Sequence, residues 1–142
     1  MSRLGLMIDE LLASGVDDWL MASDIAWVVS SIGGASTPDE VRVTSLQLIE
    51  HMLDEHLLTV GDVGDDGFAE WGISTESAIT RIGNEWAALG RAPSLGDICW
   101  FNLTEIGETL GESVLQRRST TADSMPETDA PPEPSKEEGL PS

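Results

Sequence analysis

Tyrosine is missing from this 142-residue sequence, cysteine occurs once, and lysine and arginine together number 7 against 26 aspartates and glutamates. Each shortage excludes something. A lone Cys99 builds neither an internal disulfide nor a cysteine zinc site, so a disulfide-stapled secreted module is not expected and the cytoplasm is the expected compartment. So few cations, in a chain of formal net charge −19, leave little with which to neutralise phosphates. The field of such a chain steers it away from nucleic acid and anionic lipid and toward basic partners. No apolar run approaches the roughly 18 residues of a membrane-spanning helix. The opening MSRLGLMIDELLASG has one arginine, is interrupted by Asp9 and Glu10, and has no A-x-A cleavage site, so no signal peptide is expected.

What is present is enough apolar residue, 40% of the chain, for a globular body with its own core. That body is expected to span residues 1–118. The last 24 residues, STTADSMPETDAPPEPSKEEGLPS, hold five of the 7 prolines, six acids and one lysine. Residues 119–142 therefore read as a disordered, acidic, proline-rich tail that buries too little to offset the entropy of ordering. The tail carries −5, which leaves −14 of the total −19 on the body.

Periodicity predicts an α+β, mainly helical body. Leu4, Met7, Ile8, Leu11 and Leu12 fall on one face of a helix over 3–14, closed by Gly15. A second helix, capped by Asp17 or Asp18, aligns Met21, Ile25, Val28, Val29 and Ile32 before Gly33-Gly34. Thr37, Pro38 and Glu40 form a capping box with proline at the first helical position. The third helix they start is expected to reach about Leu57, burying Val41, Leu48, Ile49, Met52 and Leu53. A strand over Leu58–Val63, a Gly64-Asp65-Asp66-Gly67 turn and a return at Phe68–Trp71 follow. Ser74 caps a helix through Leu89 with Gly90 behind it. After a loop, Ile98–Phe101 reads as a short strand. Thr104 caps a last helix that turns Ile106, Leu110 and Val114 inward and ends near Arg117 and Arg118.

Two segments, LQLIEHMLDEHLL (46–58) and WFNLTEIGETL (100–110), are similar to bacterial winged-helix regulators of the MarR and PadR type. In the second, Phe101, Leu103-Thr104 and Gly107 stand at that family's spacing. The resemblance covers roughly 3–63 and 98–115. It implies a winged-helix-like three-helix core with a C-terminal helix, from which the chain departs by a helix over 74–89 inserted where the family has a wing tip. In such families the third helix enters the major groove and its neighbours clamp phosphates with Lys and Arg. Here 37–57 holds Asp39, Glu40, Glu50, Asp54 and Glu55 against Arg42 alone, and the wing segment adds Asp62, Asp65, Asp66 and Glu70. Nucleic acid is therefore not the expected partner, and function does not follow from fold. The GRAPSLGDICWF segment (90–101) with LTEIG also resembles small acidic bacterial proteins, which implies a bacterial source.

No catalytic, cofactor or metal motif stands out, and neither an enzyme nor a cofactor is expected. His51 and His56 are five apart, where a helical metal pair is three or four apart. Asp62-x-x-Asp65-Asp66-Gly67 lacks the alternation and terminal Glu of a calcium loop. Cys99, between Ile98 and Trp100, reads as a buried, inert thiol. The five tryptophans read as core anchors, with Trp27 and Trp71 the two candidates for exposure at an interface. The expected function is a protein-binding module whose Asp39, Glu40, Glu50, Asp54, Glu55, Asp62, Asp65 and Asp66 neutralise a basic partner. An immunity protein, an antitoxin or an anti-defence inhibitor is of that kind. The alternative is a dimeric winged-helix regulator that binds DNA through converging Arg3, Arg42 and Arg81. An acidic surface that only solubilises is the bland counterpart of both.

Overall fold

Ser2 starts the first helix by accepting a hydrogen bond from the Gly5 amide at 3.0 Å, and α1 runs over Arg3–Gly15. The computed structural model describes residues 2–94 and 96–124. The remaining elements are β1 (Leu20–Met21), α2 (Ala22–Ser31), α3 (Pro38–Asp54), β2 (Leu58–Gly64), β3 (Gly67–Glu70), α4 (Thr75–Leu89), β4 (Trp100–Leu103) and α5 (Glu105–Ser124). The fold is α+β and mainly helical.

The four strands form one antiparallel sheet in the order β1-β4-β2-β3. Leu58 lies opposite Leu103 and Val60 opposite Phe101. Alternation puts all four side chains on one face, and all four are buried. Leu11 of α1, Ile25 of α2, Leu48, Ile49 and Met52 of α3 and Ile82 of α4 join them in a single core.

The Thr37 box forms as the sequence reads. Thr37 Oγ1 accepts from the Glu40 amide at 3.1 Å, and the Glu40 carboxylate accepts from the Thr37 amide at 3.4 Å. Leu48, Ile49 and Met52 are buried, and Val41 and Leu53 are partly so. The helix stops at Asp54, short of Leu57, because His56 turns into the left-handed region at φ 58°. Helix α4 has the expected limits, with Ser74 as N-cap and Gly90 supplying a left-handed C-cap at φ 70°.

Three expectations change. Neither Asp17 nor Asp18 caps α2. Residues 20–21 are drawn into the sheet by pairing with Phe101 and Trp100, and the Asp24 carboxylate instead accepts from the Met21 amide at 2.8 Å. Ile98 is not in a strand but at φ 71°. It follows a turn in which the Asp97 carboxylate accepts from the Ser94 amide at 2.8 Å, and pairing begins only at Trp100. On α5, Ile106 and Leu110 face solvent, at 54% and 44% exposure, while Val114 is buried. The buried line of this helix runs through Gly107, Gly111 and Val114, and the missing side chains of the two glycines admit the carbonyls of Leu57 and Leu12. The helix runs on to Ser124, so Arg117 and Arg118 do not sit at its end.

By contacts the chain forms two units, Met1–Glu112 and Ser113–Ser142. Of the tail expected over 119–142, residues 119–124 continue α5, and 125–142 lie outside the described residues.

Candidate functional site

The solvent side of α3 is the stripe 39, 43, 47, 50 and 54, a run of three- and four-residue steps that stays on one helical face. All five residues, Asp39, Val43, Gln47, Glu50 and Asp54, are exposed, and Ser45, Leu48, Ile49 and Met52 point the other way. Three of the five are carboxylates and none is basic. Glu55 continues the acidic run as the exposed C-cap. Asp65 and Asp66 are exposed at the β2–β3 turn.

The eight acids of the expected face are not equivalent. Glu40 serves the helix start. Its carboxylate accepts from the Ser36 amide at 2.9 Å, the Ser36 hydroxyl at 3.2 Å and the Thr37 amide. Those bonds favour the ionised carboxylate and hold its pKa below the ordinary value, with the Ser36 amide contributing most. Asp62 accepts from the Trp71 indole at 3.0 Å and lies 3.9 Å from Arg81. Asp39 is 3.8 Å from Arg42. Among the described residues, the carboxylates of Glu50, Asp54, Glu55, Asp65 and Asp66 enter no hydrogen bond or ion pair.

Arg3, Arg42 and Arg81 each have neighbours of their own. Arg3 donates to the Gly33 carbonyl at 3.2 Å, and Arg42 sits beside Asp39. Arg81 lies 3.7 Å above the Trp71 ring and donates to Glu85 at 3.0 Å. This stack covers Trp71, one of the two tryptophans singled out for exposure. Trp27 is the other, and contrary to the core expectation it is 60% exposed. The sequence held that signal, because Trp27 falls off the stripe of Ile25, Val28 and Val29.

His51 and His56 are exposed, and no group of three metal-ligating side chains comes together among the described residues. Cys99 is buried, and its thiol is pushed far above its ordinary value, by burial first and then by the charges of Glu85 and Asp62. An unionised, enclosed thiol is a poor nucleophile. No described helix is long and apolar enough to cross a membrane. A groove between α2, the start of α3 and the end of α4, lined by Trp27 and Arg42, escaped the sequence because three distant segments build it.

Comparison with protein families, curated proteins and solved structures returns no significant match for this chain. Fold and face together define a small, acidic, mainly helical α+β protein with a carboxylate-lined helix.

Proposed function

We propose that this protein is a non-enzymatic binding module whose carboxylate face neutralises a basic protein, in the manner of an immunity protein, an antitoxin or an anti-defence inhibitor. The observation that carries this reading is the C-terminal half of the α3 stripe, where the exposed carboxylates of Glu50 and Asp54, continued by Glu55, enter no ion pair among the described residues. The scaffold we assign is winged-helix-like. Three helices precede β2, a short β1 after α1 pairs with β4, and α4 is inserted between β3 and β4. On that scaffold α3 is the element that would meet DNA, and its sign is wrong for phosphate. Against a basic partner the same sign is an advantage, because opposite fields raise encounter rates by roughly 10 to 1000-fold.

The test has two arms. In the native host, the wild-type chain should capture a basic protein that a Glu50→Lys/Asp54→Lys variant fails to hold. Both sites are exposed, so the variant should fold. With random duplex DNA at low salt, no gel retardation is expected. Retardation that weakens steeply as salt rises would replace this proposal with the DNA-regulator reading.

A further inference from the structure

Sharing only Asp39 with the acidic stripe is a groove of about 820 Å³ bounded by α2, the start of α3, and the end of α4 with the loop behind it. Helices α2 and α4 each pack on α3, and the groove is the gap left over that shared neighbour. Trp86, only 4% exposed, is part of its lining. Trp27 also lines it and is the most exposed large apolar side chain among the described residues. A bulky indole left uncovered beside a concave surface of ligand-binding size is the usual anatomy of a small-molecule site.

Two guanidiniums stand in the same groove, in a chain whose charge is otherwise overwhelmingly negative. The Arg42 guanidinium makes no hydrogen bond among the described residues. Its one charged neighbour, Asp39, is 3.8 Å away, beyond hydrogen-bond range, and the Asp39 side chain is 88% exposed. Water screens such a carboxylate, so it neutralises Arg42 weakly. The Arg42 side chain is 34% exposed, and no protein acceptor within hydrogen-bond range occupies its five N–H donors among the described residues. Arg91 is fixed at one end. Its Nη1 donates to Asp97 at 2.9 Å and to the Ala92 carbonyl at 3.0 Å, which leaves Nε and Nη2 outside those bonds.

We propose that this groove binds a small organic anion, with its flat apolar body against Trp27 and its carboxylate or sulfonate taken by Arg42 and Arg91. Planar guanidiniums, of which Arg91 is held in place by Asp97 and the Ala92 carbonyl, match an anionic oxygen pair, and the indole face accepts an apolar ring. The long-range field of the chain opposes any anion, so the attraction has to come from these two side chains locally.

That opposition makes a sharp test. The dyes 8-anilinonaphthalene-1-sulfonate and N-phenyl-1-naphthylamine share one three-ring body, and only the first carries an anion. Each is titrated into the full chain, followed by its own emission and by quenching of tryptophan. One saturable site is expected, at which the sulfonate binds at least about tenfold more tightly. Arg42→Gln should abolish that preference, and Trp27→Ala should weaken both dyes. Unchanged melting curves would show that both variants are folded. Three results overturn the proposal: equal or tighter binding of the neutral dye, a preference that survives Arg42→Gln, or binding that does not saturate at one equivalent. A bare apolar patch on a chain this acidic would favour the neutral dye.

Discussion

Replacing Gly107 by alanine should destabilise the fold although alanine is the better helix former. The new methyl would fall inside the van der Waals envelope of the Leu57 carbonyl oxygen and 3.0 Å from its carbon. That oxygen belongs to the backbone and is fixed, since it accepts from the Thr104 amide at 3.1 Å, while the Leu57 amide donates to the Met52 carbonyl at 2.9 Å. No flexible side chain can give way, so the start of α5 has to retreat. Overpacking of this kind costs about 1–3 kcal/mol. Loosening the Thr104–Leu57 bond adds about 1 kcal/mol. Helix propensity offsets at most about 1 kcal/mol. The net loss is about 2 kcal/mol, which for a body of this size lowers Tm by roughly 8 °C. Gly83 of α4 is the control, because a methyl there meets only the flexible end of Leu46, with Cδ1 at an ordinary 3.4 Å and Cδ2 at 4.0 Å. Gly83→Ala should therefore raise Tm by a few degrees. Calorimetry of both variants decides the matter. If Gly107→Ala melts at or above the wild type, or Gly83→Ala falls as far, the close approach of α5 to Leu57 is wrong.

Two further outcomes follow from the interactions already described. Glu40 and Asp97 are both held below their ordinary values of 4.5 and 3.8, so the unfolded chain binds the extra protons in acid. Their contribution is complete above those values and is lost as pH falls through the folded ones. Glu40→Gln should melt lower than wild type at pH 7, and the gap should close toward pH 3. A gap that stays constant or widens in acid refutes the capping role. The Arg81 guanidinium, 3.7 Å from the Trp71 ring, should show a coupling of about 0.5–1 kcal/mol in a urea-unfolding cycle of Arg81→Gln and Trp71→Ala. A coupling of zero removes the stack from the account of stability.

What was legible in the sequence is what is decided locally. The α3 start is written in Thr37, Pro38 and Glu40, whose side chains answer backbone groups within four residues. Helix α4 is written the same way between Ser74 and Gly90. Strand β1 was illegible because two residues have no period, and Leu20 and Met21 become a strand only opposite Phe101 and Trp100, far along the chain. The inward face of α5 was misread because hydrophobicity points to Ile106 and Leu110. The helix packs instead through glycines, which carry no hydrophobic signal. The acidic character of the candidate face was plain in the composition. That Asp62 is tied to Trp71 and Arg81 depends on the β2–β3 pairing and the docking of α4, and so was hidden.

The placement of the acids along α3 separates those that serve the fold from those that do not. A helix carries partial positive charge at its N-terminus and partial negative charge at its C-terminus. Asp39 and Glu40 sit in the first turn, where a carboxylate is favoured, and Glu40 closes a capping box as well. Their presence is explained by stability alone. Glu50, Asp54 and Glu55 occupy the other end, where the dipole disfavours anions, and Glu50 and Asp54 are also like charges four residues apart. His51 is the one basic residue in that last turn. Helix stability would favour lysine or arginine at each of the three positions, and a surface that only needed solubility would be served as well by carboxylates elsewhere. Three exposed acids at the disfavoured end, whose carboxylates make no hydrogen bond or ion pair among the described residues, are the part of the surface that the fold does not account for. A cation presented by a partner would relieve both the mutual repulsion and the dipole at that end of α3. The binding proposal therefore rests on Glu50, Asp54 and Glu55 rather than on the net charge of −19.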